Sequence, residues 1–237
     1  MKPVAAAADR EAKPAYGGVI TALRPTQRDP TRVTVKVGRR SVGTLAQTLA
    51  DGLGLRPGVV WTEALAASLD DALTYDKAWR AATRGLARRA MSSGMVRQKL
   101  RKLDPPADAS TVDRVLDRLA ELGLLDDEAF GRALIRDVTR AKPAGPALLR
   151  QKLYAKGLDR GVIDRLVAEA TADDEAQADA AVAFARKRAA SMRKLDPATR
   201  DRRLYGQLAR RGFTPDDIRR AMAAVRAGGD DEESTYE

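Results

Sequence analysis

The 237-residue chain contains no cysteine and no histidine, and aromatic residues make up only 4% of it. These absences exclude disulfides, Cys/His zinc sites, thiol nucleophiles, histidine bases and Ser-His-Asp triads. The aromatic rings are too few for single-strand binding by base stacking, which uses several platforms. No Gly-rich phosphate loop of the Walker or Rossmann type is found either. Any catalysis left would need carboxylates, lysine, tyrosine or a carboxylate-bound metal. We expect a protein that is not an enzyme and holds neither a cofactor nor a metal.

Long hydrophobic runs are also lacking. No segment approaches the roughly 20 apolar residues that a membrane-spanning helix needs. The alanine run Ala5–Ala8 ends at once in Asp9, Arg10 and Glu11, and it is too short for the apolar region of a signal peptide. We expect a soluble, cytoplasmic protein that does not bind a membrane, with a flexible N-terminus over residues 1–15.

Residues 16–74 predict a small β-rich domain. β-Branched residues alternate there with the period of a half-buried strand, and glycines separate the candidate strands. Gly38-Arg39 predicts a hairpin turn. Thr44 is the candidate N-cap of a short helix that ends at Asp51. The candidate strands are residues 18–23, 32–37 and 41–45.

From Thr62 onward the apolar residues follow the helical period, which indicates a mainly α fold. The region also repeats itself. Five residues match five others at a constant spacing of 55: Leu149, Leu153, Gly157, Leu158 and Ile163 match Leu204, Leu208, Gly212, Phe213 and Ile218. The alternative is one irregular helical bundle with accidental similarity.

We predict three tandem modules of three helices each, forming an elongated array after the β-rich domain. The acidic segment 227–237, which nearly lacks apolar residues, is expected to be a disordered tail. The modules are predicted over residues 75–122, 126–170 and 174–226.

Residues that favour helix ends mark the helix boundaries within the modules. The candidate N-caps are Ser92, Asp159 and Thr214. The candidate C′ glycines are Gly123, Gly157 and Gly212.

The net charge of +10 is unevenly distributed. Three segments, each covering the middle helix of one module, hold 24 basic residues and two acidic ones: 77–103, 140–156 and 186–211. Positive charge that recurs with the repeat predicts a basic band along one side, the electrostatic signature of a polyanion partner. The alternative is a solvated charged face, although such faces normally mix both signs.

The candidate binding residues are the cations of this band. Tyr154 and Tyr205 lie among them and are either partner contacts or surface filling. The candidate cations are Arg97, Lys99, Arg101 and Lys102 in the first module, Arg150, Lys152 and Lys156 in the second, and Arg186, Lys187, Arg202, Arg203, Arg210 and Arg211 in the third.

Two carboxylate clusters, Asp126-Asp-Glu128 and Asp173-Asp-Glu175, are open to two interpretations. They could supply the ligands of a metal-dependent nuclease. They also stand where helices begin, where acidic side chains cap open N–H groups and complement the helix dipole. Because the clusters recur in step with the repeat, we favour capping.

An ordered set of motifs over residues 75–226 resembles the RecX family, whose members regulate the RecA recombinase. Two departures lie in the first module: Met95 stands where the family commonly has an acidic residue, and 104–108 is an insertion. The motifs are Arg89-Ala-Met-Ser92, Lys99-Leu100, Leu124-Leu-Asp-Asp-Glu-Ala-Phe130, Lys142-Pro-Ala-Gly145-Pro, Gly157-Leu158 and Leu208-Ala-Arg-Arg-Gly-Phe213 with Ile218.

The resemblance implies a non-enzymatic protein of three-helix modules that lies along the groove of the RecA–DNA filament and bridges its protomers. We expect the protein itself to be a monomer. It would bind single- and double-stranded DNA in that complex, and lower ATP turnover and strand exchange by RecA. The implied setting is recombination, DNA repair and the SOS response. The alternative is a DNA-binding transcriptional repressor that places paired helices in a major groove.

Overall fold

The computed structural model describes residues 14–233, with side chains described through residue 227. Over this range the chain forms three β-strands and ten α-helices, which confirms a mainly helical fold preceded by a small sheet. It divides into two compact units. Within the described residues the first unit comprises 14–88 and 97–118, and the second comprises 89–96 and 119–233. The expected flexible N-terminus lies outside the described residues, apart from residues 14 and 15.

The three predicted strands form one antiparallel sheet in the order β1-β2-β3. Alternate residues of β2 are buried, as the valine pattern predicts. They meet Ile20 of β1 and Leu45 of β3 in the core of the first unit. The strands are β1 (Ile20–Pro25), β2 (Arg32–Val37) and β3 (Arg40–Ala46).

The helix cap predicted at Thr44 is wrong. Thr44 lies within β3, where its Oγ1 is 2.9 Å from the Oγ1 of Thr34 on β2. The ladder between these strands continues to the pair Arg32–Ala46, so helix α1 (Gln47–Gly52) begins only after it. Cross-strand pairing outweighs the local preference of threonine for a cap.

Helix α2 (Glu63–Leu86) begins at the predicted change of period. Thr62 caps it, because its side chain accepts a hydrogen bond from the Leu65 N–H at 3.2 Å. The first half of α2 packs Ala66, Leu69 and Ala72 against the sheet. The boundary predicted between residues 74 and 75 therefore falls inside a continuous helix. No glycine or proline interrupts residues 63–84, so nothing in the local sequence ends the helix there.

A buried ion pair fastens α2 to the sheet. Arg32 Nη1 and Nη2 donate to Asp76 Oδ1 and Oδ2 at 2.9 and 2.7 Å, and the two side chains are only 10% and 6% exposed. Asp76 Oδ1 also accepts from the Ala46 N–H at 3.2 Å. These bonds to Asp76 raise the pKa of the Arg32 guanidinium. The Asp76 carboxylate on α2 thus binds both β2, through Arg32, and β3, through the Ala46 N–H.

Eight helices follow α2. Helix α3 (Ser93–Leu100) and helix α4 (Ala109–Glu121) complete the three helices of the predicted first module. The second module contains α5 (Asp127–Ala141), α6 (Pro146–Tyr154) and α7 (Arg160–Ala170). The third contains α8 (Asp174–Ala190), α9 (Pro197–Arg210) and α10 (Pro215–Glu233). Among the described residues, no helix is both long and apolar enough to cross a membrane.

The 55-residue repeat is reproduced in two separate cores of the second unit. Leu149, Leu153, Leu158 and Ile163 meet in the core of the second module. Their counterparts Leu204, Leu208, Phe213 and Ile218 meet in the core of the third. The constant spacing therefore reflects two copies of one packing arrangement.

The last helix is longer than predicted. Helix α10 continues to Glu233, so residues 227–233 of the expected disordered tail are helical, and 234–237 lie outside the described range. Once a helix has formed, each further residue costs little to add, so α10 continues through Gly228 and Gly229 although glycine is a poor helix former.

Candidate binding surface

The two acidic clusters begin helices. The carboxylate of Asp126 accepts from the Ala129 N–H at 2.8 Å at the start of α5. Asp173 accepts from the Ala176 N–H at 2.9 Å at the start of α8. These contacts confirm the capping interpretation. Within residues 14–233, no group of three or more carboxylates is arranged to hold a metal ion.

The predicted helix ends are confirmed. Asp159 accepts from the Gly161 N–H at 2.8 Å, and Ser92 accepts from the Met95 N–H at 3.2 Å. Thr214 forms a reciprocal capping box with Asp217, whose N–H donates to the threonine Oγ1 at 3.1 Å. The three C′ glycines, Gly123, Gly157 and Gly212, have φ angles of 65°, 72° and 77°.

A backbone joint connects the middle helices of the second and third modules. Gly145 precedes α6 and offers no capping side chain. Its N–H instead donates to the Arg211 carbonyl at 2.9 Å, and the Ala147 N–H donates to the Gly212 carbonyl at 3.1 Å. The open N–H groups that begin α6 thus meet the open carbonyl groups that end α9, which satisfies both and aligns opposite ends of two helix dipoles.

A related joint lies at the start of α3, within the second unit. The hydroxyl of Ser92 donates to the Lys156 carbonyl near the end of α6. The carboxylate of Asp127 supplies a further cap, because it accepts from the Ser93 N–H at 2.8 Å and from the Ser93 hydroxyl at 2.5 Å. A carboxylate from α5 thus caps α3, and Met95, three residues after Ser92, offers no acidic side chain for a local capping box.

The thirteen candidate cations fall in both units. Residues 97, 99, 101 and 102 belong to the first unit, and the other nine belong to the second. Two of the thirteen form ion pairs within their own unit. Arg97 Nη1 lies 2.8 Å from Asp113 Oδ1, and Arg150 Nε lies 3.6 Å from Asp164 Oδ1.

A third candidate, Arg211, is held by the backbone. Its Nε donates to the Pro143 carbonyl at 2.6 Å and its Nη2 to the Lys142 carbonyl at 2.5 Å. Partial burial lowers the pKa of this guanidinium. Arg211 therefore helps to build the joint between the second and third modules, a role that the charge pattern alone does not indicate.

The other ten candidates have no side-chain hydrogen bond or ion pair with any described residue. Eight of them are exposed, and Lys99 and Lys156 are half-buried. The exposed tyrosines Tyr154 and Tyr205, 72% and 56% exposed, lie among them. The ten are Lys99, Arg101, Lys102, Lys152, Lys156, Arg186, Lys187, Arg202, Arg203 and Arg210.

Two of the predicted cations share a depression in the second unit with two basic residues outside the predicted set. Arg210 and Arg211 line it together with Lys142 and Arg188. The sequence signal for Lys142 and Arg188 is present, because both lie within the basic segments 140–156 and 186–211. Their proximity depends on the joint between modules.

Repeated three-helix domains with exposed, unpaired cations at or near their middle helices define a helical-repeat protein. Comparison with known proteins identifies it further. The family model of the second three-helix domain of RecX matches residues 126–166, and that of the third matches residues 175–222.

Curated relatives support the same assignment. The "Regulatory protein RecX" of Halorhodospira halophila is 39% identical over 162 residues, which cover 66% of this chain and 91% of the relative. That of Pelodictyon phaeoclathratiforme is 34% identical over 149 residues, covering 62% and 89%. A crystal structure of regulatory protein RecX has the same fold, with a TM-score of 0.71, 21% identity and coverage of 86% of this chain and 98% of its own. The chain belongs to the RecX family of regulatory proteins.

Proposed function

We propose that this protein regulates RecA by binding along the groove of the RecA–DNA filament and inhibiting ATP hydrolysis and strand exchange. Its activity would modulate recombination and DNA repair. The observation that carries the proposal is the set of ten candidate cations without a carboxylate partner among the described residues. An unpaired cation keeps its attraction for an external anion, whereas an ion-paired cation has already lost much of it.

The distribution of these cations suits an extended target. Unpaired cations lie at the middle helix of each module, so contacts recur along the chain rather than converging on one pocket. Several weak contacts on one chain add through effective concentration once the first has formed. Binding to a polyanion also releases counterions, so the affinity is expected to fall steeply with salt.

Suppression of RecA-dependent ATP hydrolysis on single-stranded DNA tests the proposal. RecA is assembled on circular single-stranded DNA, and the rate of hydrolysis is followed as the protein is titrated at low salt. We expect the rate to fall with a saturable dependence and to recover as salt is raised. An unchanged rate at saturating protein and low salt would overturn the proposal.

A DNase footprint separates the filament regulator from the transcriptional repressor. A regulator of the filament protects duplex DNA weakly and without sequence preference. Protection restricted to one duplex sequence, with a large specificity ratio over competitor DNA, would support the repressor instead.

A further inference from the structure

An open depression of about 300 Å³ lies in the second unit, where α8 and α9 approach the segment that joins α5 to α6. All of its lining residues belong to that unit. They are Lys142, Phe184, Arg188, Gln207, Arg210 and Arg211.

The lining is positively charged and contains no carboxylate. Four of the six residues are cations, and none of the four forms an ion pair with a described residue. Another depression in the same unit differs, because there Arg140 is paired with Asp137. Like charges held together without a counterion repel one another, and a bound anion removes that cost.

Two of the cations are held in place by groups that leave their charge intact. Arg211 is fixed by the carbonyl groups of Lys142 and Pro143. The guanidinium carbon of Arg188 lies 5.4 Å from the centre of the Phe184 ring, a cation–π distance. Carbonyl groups and an aromatic face orient a guanidinium without neutralising it, so both keep donors for a ligand.

We propose that this depression binds a phosphodiester group of a nucleic-acid backbone. A single carboxylate is satisfied by one arginine in a bidentate pair, whereas four cations without a counterion suit a polyanion, whose successive phosphodiester groups each carry one negative charge. Arg188, Arg210 and Lys142 would supply the charge, and the Gln207 amide a neutral donor. The inference deepens the proposed function and rests on it, since it assigns the DNA side of the filament contact to a particular site.

A pair of matched double variants tests the site. The first is Arg188→Gln with Arg210→Gln, in the depression. The control is Arg160→Gln with Arg220→Gln, two exposed arginines without a described partner that lie outside the depression and outside the predicted band. Both variants lose the same charge, so a difference between them reports position rather than net charge.

Binding of each variant to a fluorescent 30-nucleotide oligo-dT, without RecA, is measured over a series of salt concentrations. We expect the depression variant to bind about tenfold more weakly than the control. Its plot of log affinity against log salt should also be less steep, by about 1 in the magnitude of the slope. Circular dichroism and thermal melting establish that both variants fold. Equal affinities and slopes for the two folded variants would overturn the inference.

Two further measurements, of ATP binding and of RecA binding, distinguish a phosphodiester site from sites for other ligands. Tighter binding of free ATP than of the oligonucleotide at the same salt would assign the depression to small phosphates. Unchanged DNA binding with lost RecA binding would assign it to an acidic protein surface. Either result would overturn the inference. If the wild-type protein fails to slow RecA while the depression variant still loses DNA affinity, the proposed function fails and the phosphate site stands.

Discussion

Gly94, in the first turn of α3, lies backbone to backbone against Gly157, the left-handed residue that follows α6. A Cβ atom on Gly94 would lie 2.6 Å from the Cα of Gly157. The same relationship recurs between the next pair of middle helices, where a Cβ on Gly145 would lie 2.5 Å from the Phe213 Cα. Both joints therefore need glycine at the start of α3 and of α6. The atoms that a Cβ would meet belong to the backbone, which cannot move away as a flexible side chain can.

The substitution Gly145→Ala is expected to lower the free energy of unfolding by about 1–3 kcal/mol, because the added methyl group forces two helix ends apart. Gly206→Ala, in the middle of α9, is the matched control. Its Cβ would meet only the flexible end of Arg210, at 3.4 Å. The control should raise stability by about 0.5–1 kcal/mol through better helix propensity. Urea unfolding followed by circular dichroism measures both, and equal effects would contradict the close joint.

The substitution Asp76→Ala is expected to cost about 3–5 kcal/mol, because it leaves the Arg32 guanidinium buried without a counterion. Asp71→Ala on the same helix is the control. Asp71 lies 2.9 Å from Arg114, but both side chains are about half exposed, so its loss should cost less than about 1 kcal/mol. Hydrogen exchange of sheet amides reports the stability of the first unit directly. Comparable losses in the two variants would contradict the role of the buried pair.

The ion pairs of Glu128 are expected to make the free energy of unfolding of the second module depend on pH. Its carboxylate lies 2.7 Å from Arg165 and 3.2 Å from Arg132, and the hydrogen bond and charge of Arg165 above all lower its pKa. A lowered folded-state pKa stabilises the fold above the ordinary glutamate pKa of 4.5, and this stabilisation disappears as the pH falls through the folded-state pKa.

Glu128→Gln should therefore lower the melting temperature at pH 7, and its difference from the wild type should shrink below pH 4.5. Glu175→Gln is the control, because Glu175 begins α8 in the corresponding position and has no ion-pair partner among the described residues. At pH 7 it should lower the melting temperature less than Glu128→Gln does, because it breaks no ion pair of the described structure. A constant difference for Glu128→Gln across the same range would show that the ion pairs do not contribute.

Charge reversal in the third module is expected to abolish inhibition of RecA without unfolding the helices. The variant combines Arg202→Glu, Arg203→Glu and Arg210→Glu, none of which has a partner in the described structure. A control with the same change in net charge reverses Arg136, Arg160 and Arg220, which are exposed and outside the predicted set. RecA ATP hydrolysis and filament co-sedimentation are the readouts. Inhibition retained by the first variant would show that the third module is dispensable.

Local patterns in the sequence predicted much of the helical region. The 55-residue spacing between Leu149 and Leu204 predicted two equivalent modules, and both residues lie in corresponding cores. Gly157 and Gly212 predicted two helix ends, and both have the positive φ of a C′ glycine. These features depend on periodicity and on backbone conformations that glycine adopts most easily, and both can be seen in a short stretch of sequence.

Contacts between distant residues could not be predicted in the same way. Asp127 was interpreted as an acidic residue at the start of its own helix, yet it caps Ser93, 34 residues away. The lining of the proposed phosphate site could not be predicted for the same reason, because its residues are far apart in the sequence. The positive charge of Lys142 and Arg211 was evident, but their approach across 69 residues depends on the joint between the modules.

The continuity of α2 limits where the chain can be shortened. A fragment beginning at residue 75 would start halfway along a helix, without the Thr62 cap, and would strand the Asp76 carboxylate away from Arg32. The residues of α2 that reach the sheet would be discarded with it. The small sheet therefore cannot be removed by a cut at residue 75 without also removing the first half of α2, the first helix of the first module.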